Sequence, residues 1–162
     1  MGWTVRRAEP ADLDAINAVA AAAGRPLWRA LALAPFSDRY AVVALSGQRI
    51  LGAAKTHFYA GPDGGAPDGN YLGGVVVHPA ARRRGAGHAL TVARLAWIWE
   101  RSDAAYYIAN ADNAASIAMH ADFGFRQIAE GPRFHGVTFS GGRGLVFEAR
   151  RPASWALPGD ST

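Results

Sequence analysis

The stretch whose reading decides the fold is Tyr71–Leu90, YLGGVVVHPAARRRGAGHAL. Within it, Leu72–Val77 is a short apolar run rich in valine, the pattern of a buried strand. His78-Pro79 ends the strand, because proline has no N–H to give to a ladder and restrains the residue before it. Arg82, Arg83 and Arg84 precede Gly85-Ala86-Gly87, and the apolar periodicity from His88 to Arg101 predicts a helix. A strand, a basic glycine-bearing turn and a helix start together suit phosphate. Backbone N–H groups and the positive end of the helix dipole meet an anion there, and glycine lets it approach. Taken alone, the same residues also suit an ordinary turn with a solvated arginine cluster. No Lys-Ser or Lys-Thr follows the glycines, which excludes a P-loop, and no G-x-G-x-x-G directly follows the strand, which excludes a dinucleotide fingerprint.

Outside this stretch, composition narrows the class. Half of the 162 residues are hydrophobic and 19% are charged, which is a globular balance and enough chain for one domain with a real core. No apolar run approaches the roughly 20 residues of a membrane span, so no membrane partner is expected. Met1-Gly2-Trp3-Thr4 shows no signal-peptide pattern. The chain has no cysteine, so disulfides, a thiolate nucleophile and cysteine-ligated metals are excluded, and the cytoplasm is the expected compartment. The net charge of +4 could serve nucleic acid, but the one dense basic run is already assigned to phosphate, so no nucleic-acid partner is expected. All 17 basic residues except Lys55 are arginine, a bias that suits a GC-rich bacterial genome.

Along the chain, Trp3–Ala8 reads as a strand and Glu9-Pro10 opens a helix carrying the stripe Leu13, Ile16, Ala20, which Gly24 closes. A second short helix is expected over Pro26–Leu33. Tyr40–Leu45 and Ile50–Phe58 form a hairpin around Ser46-Gly47-Gln48, and Tyr59–Gly69 reads as a loop that packs no core. Further strands are expected at Ala104–Ala109, Phe125–Ala129 and Gly144–Ala149, with a short piece at Gly136–Phe139. Trp97 and Trp99 are expected in the core. Asn113 is placed to cap a helix that Gly124 ends. On that helix Asn113, Ser116 and His120 stand at i, i+3 and i+7, a polar face that is either a solvent stripe or the wall of a site.

Two of these segments resemble the recurrent motifs of the GNAT superfamily of acyl-CoA N-acyltransferases. The first family motif, an apolar strand, Val-x-Pro and then Arg-x-x-Gly-x-Gly, is matched by Val77-His78-Pro79 and Arg82–Gly87. The second, Asn-x-x-Ala or Ser followed by an aromatic residue and a Gly-Phe pair, is matched by Asn113, Ser116 and Gly124-Phe125. His120 occupies the position usually held by tyrosine, as in members of the phosphinothricin type.

The resemblance implies an α/β GNAT fold, with a central mixed, mostly antiparallel sheet of six to seven strands flanked by about four helices. Residues 1–151 would form a single domain and 152–162 a flexible tail. It implies acetyl-CoA as co-substrate, no metal, and transfer of its acetyl group to a primary amine of a small molecule, with a homodimer left open. Arg82, Arg83, Arg84, Gly85, Ala86, Gly87 and His88 would hold the pyrophosphate of coenzyme A, and Val75 and Val77 its pantetheine arm and carbonyl. Asn113 and Ser116 would complete that site. His120 would exchange a proton with the thiolate or the amine, an exchange open to imidazole near neutral pH. Trp28, His57, Tyr71 and His135 are the acceptor-side candidates. His57 and His135 are also the candidate bases, since Asn70–Val77 carries no acid. A non-catalytic acyl-CoA sensor or scaffold is the alternative. An RNA-binding module is a third, and it would need the stacking aromatics that this chain lacks in that pattern.

Overall fold

The computed structural model describes residues 2–155, so positions 156–162 of the expected tail lie outside the described residues. The chain runs β1 (Thr4–Arg7), α1 (Leu13–Ala22), β2 (Ala41–Ser46), β3 (Arg49–Tyr59), β4 (Gly69–Val77), α2 (Ala86–Trp99), β5 (Ala104–Asn110) and α3 (Ala114–Ala121). It ends with β6 (Arg126–Gly131), the small hairpin β7 (Arg133–Phe134) and β8 (Val137–Thr138), and β9 (Gly144–Arg150). Seven strands form one sheet in the order β1-β2-β3-β4-β5-β9-β6. β4 and β5 are parallel, with Tyr71 opposite Tyr106 and Leu72 opposite Tyr107, whereas β1–β2, β2–β3, β5–β9 and β6–β9 are antiparallel. This is the mixed, mostly antiparallel sheet expected.

Three α-helices are described rather than about four, because the segment expected as a second helix forms only a 3-10 turn at Ala30–Leu33. Asn17 competes for this segment: its side-chain amide donates to the Trp28 carbonyl at 3.0 Å, the acceptor an α-helix would offer to Ala32, and accepts the Trp28 N–H at 2.7 Å. Asn17→Ala is expected to leave those two groups without partners and to cost about 1–3 kcal/mol in urea unfolding. A loss within about 0.3 kcal/mol would show that water replaces the amide there.

The described residues form two compact units, one up to His57 plus Gly73–Leu95, the other Phe58–Leu72 plus Ala96 onward. In the first, β2 is buried along five successive residues because it is covered on both faces. Val43 and Leu45 pack with Ile16, Val19 and Ala20 of α1, while Val42 and Ala44 pack with Leu90 of α2. The approach to α1 is held by Asp12, whose carboxylate accepts the Glu9 N–H at 2.7 Å and two Arg6 N–H bonds at 2.8 and 3.0 Å. The Arg6 bonds hold the Asp12 carboxyl below the usual range.

In the second unit, the Tyr59–Gly69 segment departs from the expected coreless loop. Ala66 is fully buried with Phe134 and Val146. Local bonds fold it inward: Asp63 and Ala66 bridge each other, and Asp63 accepts the His135 N–H at 2.6 Å. Trp97 and Trp99 are buried, as expected.

Candidate functional site

The end of β4 alternates poorly. Val76 is buried, but Gly74 and Val75 are both exposed, and Val77 is half-buried. His78 donates its N–H to the Leu51 carbonyl at 2.8 Å, and its Nδ1 accepts the Ala80 N–H at 3.1 Å, shaping a 3-10 turn over Pro79–Ala81. Arg82 through Gly85 are exposed. Arg83 (φ +60°) and Gly85 (φ +88°) both adopt the left-handed region, which glycine tolerates and arginine does not favour. The Trp3 indole N–H donates to the Arg84 carbonyl at 2.7 Å, tying the turn to the start of β1. Ala86 is buried and seats the first turn of α2, whose first helical bond runs from Ala89 to Gly85.

Arg82, Arg83 and Arg84 make no ion pair among the described residues. Three exposed guanidinium groups therefore stand beside a helix start whose leading N–H groups have no intrahelical carbonyl. As a donor set this suits a pyrophosphate.

A second feature lies against β3 and β4. Arg94, fully buried on α2, donates to the Gly73 carbonyl at 2.9 Å, the Lys55 carbonyl at 3.3 Å, the Leu90 carbonyl at 3.2 Å and the Thr91 hydroxyl at 3.1 Å. Burial lowers its guanidinium to about 9, which leaves it charged at neutral pH. A Cβ on Gly73 would stand 2.0 Å from the His57 ring, and one on Gly74 would stand 2.9 Å from Lys55 Cε. Lys55 and His57 share one face of β3, so two successive glycines turn the same way and the alternation of β4 breaks between them.

Lys55 and His57 also line a cavity of about 340 Å³, together with Trp28, Arg29, Arg39 and Thr56 among others. Trp28 and His57, two of the acceptor-side candidates, therefore meet in one cavity. Burial, aided by Lys55, Arg39 and Arg94, lowers the His57 imidazole from 6.5 to about 4, so it is neutral at pH 7. Between those two values the unfolded chain binds a proton that the folded chain does not, so this contribution to stability is full above the window and is lost as pH falls through it. His57→Gln is expected to flatten the acid limb of the stability profile by up to about 1.4 kcal/mol per pH unit, measured by urea unfolding at several pH values. An unchanged slope would mean that His57 is charged in the fold.

Tyr71 and His135 meet elsewhere, at Pro67. The Tyr71 hydroxyl donates to the Pro67 carbonyl at 2.5 Å, and His135 Nε2 faces the same oxygen at 3.1 Å, so that nitrogen carries a proton. The His135 ring stacks on Tyr59 with centroids 3.9 Å apart. These two candidates are occupied in holding the Tyr59–Gly69 segment.

On α3, Asn113 caps the helix as expected, its Oδ1 accepting the Ser116 N–H at 3.3 Å. The polar face is neither a plain solvent stripe nor an open wall. It runs from the exposed Asn113, through a half-buried Ser116 bonded to the Tyr107 hydroxyl at 2.5 Å, to a buried His120. His120 Nδ1 lies 2.7 Å from the Ser116 carbonyl and must donate to it, so Nε2 is the nitrogen that can accept a proton. The imidazole stacks on Tyr107 at 3.8 Å and meets Phe125 edge-on.

Sequence reasoning passed over Arg94, Lys55, Asn17 and Trp3. One signal was present: Arg94 falls on the stripe of Leu90 and Ile98, both fully buried, where a cation is out of place. Among the described residues no helix is long and apolar enough to cross a membrane, and no group of three His, Cys, Asp or Glu is placed to hold a metal.

Residues 13–125 match the family described as Acetyltransferase (GNAT) family. No curated protein sequence matches the chain. Among solved structures, the ribosomal-protein-alanine N-acetyltransferase from Brucella melitensis is 23% identical with a TM-score of 0.71, over 91% of this chain and 99% of that one. A putative acetyltransferase from Salmonella typhimurium, solved with its cofactor acetyl-CoA, is also 23% identical, with a TM-score of 0.66 over 98% and 99% of the two chains. The ribosomal-protein-S18-alanine N-acetyltransferase from Escherichia coli is 17% identical, with a TM-score of 0.69 over 96% and 100%. At such identities these likenesses carry the fold. The family match spans most of the chain and agrees with that fold, so the chain belongs to the GNAT family of acetyl-CoA-dependent acetyltransferases.

Proposed function

We propose that this GNAT member moves the acetyl group of acetyl-CoA to the primary amine of a small molecule, by direct attack with donor and acceptor bound together. The observation that carries this reading is the Arg82–Gly87 turn, with three exposed arginines that have no carboxylate partner among the described residues, beside the first turn of α2. A cavity of about 340 Å³ is of a size for a small acceptor.

Acetyl-CoA supplies an acetyl group activated as a thioester. The chain's part is to bind, orient and move a proton. Arg82, Arg83 and Arg84, with the backbone of Gly85, Ala86, Gly87 and His88, hold the pyrophosphate. The backbone at the exposed Val75 and at Val77 aligns the pantetheine arm and polarises the carbonyl. Asn113 and Ser116 act through α3, the first by capping it and the second by fixing Tyr107. His57, neutral and lining the cavity, is the candidate base for the amine. His120 exchanges the proton through Nε2. The C–N bond forms as the C–S bond breaks, and the proton lost by nitrogen balances the one gained by sulfur. With no cysteine in the chain, no acyl-cysteine can intervene.

The test is thiol release from acetyl-CoA across a broad panel of primary amines, with coenzyme A binding measured in parallel. Release with at least one amine is the expected result. Coenzyme A binding without release on any amine would replace this reading with that of an acyl-CoA sensor.

A further inference from the structure

We propose that the cavity lined by Trp28, Arg39, Lys55 and His57 selects an acceptor that carries a carboxylate as well as its amine, that is, a free amino acid or a close relative. The inference rests on the acetyl-transfer reading above and names the substrate class for it.

The first observation is the charge of the lining. Arg29, Arg39 and Lys55 all line the cavity, and among the described residues no aspartate or glutamate does. Arg39 does contact Asp38, at 3.2 Å, but both side chains are over 40% exposed, so that pair is screened by water. The second observation is the state of Lys55. It is half-buried, makes no ion pair among the described residues, and sits with Nζ 4.6 Å from the centroid of the Trp28 ring. Burial and the neighbouring Arg39 charge both lower the Lys55 pKa, the direction expected of a cation that lacks an anion.

The third observation is that the fold makes room for this cation. Gly74 carries no Cβ to collide with Lys55 Cε, Gly73 likewise clears the His57 ring, and Asn17 pins the backbone of Trp28. A half-buried ammonium on a preset aromatic face, with arginines beside it, is suited to a carboxylate.

The same charges act on the amine. Lys55 and Arg39 disfavour an ammonium beside them and so favour the free base, the form that attacks. This offers a physical account of a β4 without a carboxylate base: the cavity would lower the acceptor's own pKa.

The experiment compares matched acceptors: an amino acid, its amide, its decarboxylated amine, and a peptide with an acidic first residue. The amino acid is expected to exceed the amide and the amine by about 10–100-fold in kcat/KM, and Lys55→Met and Arg39→Gln are each expected to compress that ratio toward one. Equal rates across the set, a ratio unmoved in both variants, or a peptide that outruns the free amino acid would overturn the proposal. Calorimetry with coenzyme A present, using the N-acetylated amino acid and the N-acetylated amine as probes, judges the cavity apart from turnover. Tighter binding of the anionic probe, lost in Lys55→Met, supports the cationic cavity even if no amine releases thiol. Equal binding of the two probes overturns it.

Discussion

Replacing His120 by phenylalanine is expected to lower kcat for acetyl transfer by about 10²–10⁴-fold, the range of a lost proton-transfer group. Coenzyme A affinity is expected to change little, because His120 is not proposed to hold the pyrophosphate. Phenylalanine is the informative substitution. His120 is buried, stacks on Tyr107 and packs on Phe125, so an aromatic ring of similar size preserves the packing that His120→Ala would remove. What phenylalanine cannot keep is the bond from Nδ1 to the Ser116 carbonyl, worth about 1 kcal/mol, and the nitrogen at the Nε2 position. Kinetics and urea unfolding on the same variant therefore separate the two roles. A fall in kcat below about tenfold together with a loss of stability would leave His120 as a packing residue, and the proton would have to move elsewhere.

The largest expected loss of stability is that of Arg94→Ala, about 3–5 kcal/mol. The substitution empties a fully buried site and strips donors from the Gly73 and Lys55 carbonyls on two neighbouring strands. Arg94→Met isolates the second part. It fills most of the volume and removes the desolvated charge, which by itself can be neutral or stabilising, but it still leaves the carbonyls unmet. An intermediate loss is expected, and it should also raise the His57 pKa, because Arg94 is one of the charges that lower it. Arg94→Met as stable as the parent would mean that the cost of burying the guanidinium cancels its hydrogen bonds. Arg94→Lys is not expected to rescue, since one ammonium cannot span the carbonyls that the planar fork reaches.

The two substitutions divide the molecule along the line between local and distant information. Val77-His78-Pro79, the glycines after the arginines, the Asn113 cap and the Gly124 stop are local devices, each acting within a turn or two of itself. They were legible from spacing alone, and the structure keeps them all. The seven-stranded sheet followed from the same local patterns once two motifs pointed to one family. The segment at Pro26–Leu33 was misjudged for an equally plain reason. An amide reaching forward 11 residues from Asn17 takes the Trp28 carbonyl from that segment's helical tendency, and no periodicity records that bond. The Tyr59–Gly69 segment was misjudged in the same way, since its Gly, Pro and Asp content describes the turns it makes and not the burial of Ala66.

By itself, then, the sequence determined most of the strands and the three α-helices, the exposed arginine turn between β4 and α2, and which helix carries Ser116 and His120. Those choices follow from backbone sterics, capping and hydrophobic period, and they are settled among near neighbours. Only the tertiary structure decided that Arg94 would bridge the carbonyls of Lys55 and Gly73, 39 and 21 residues away, and that Tyr71 and His135 would be spent on Pro67. It alone decided that Lys55 and His57 would lean over two glycines into a cationic cavity. A side chain's partner across a sheet depends on strand register and on what its neighbours leave empty, and both are fixed only when the chain has closed on itself.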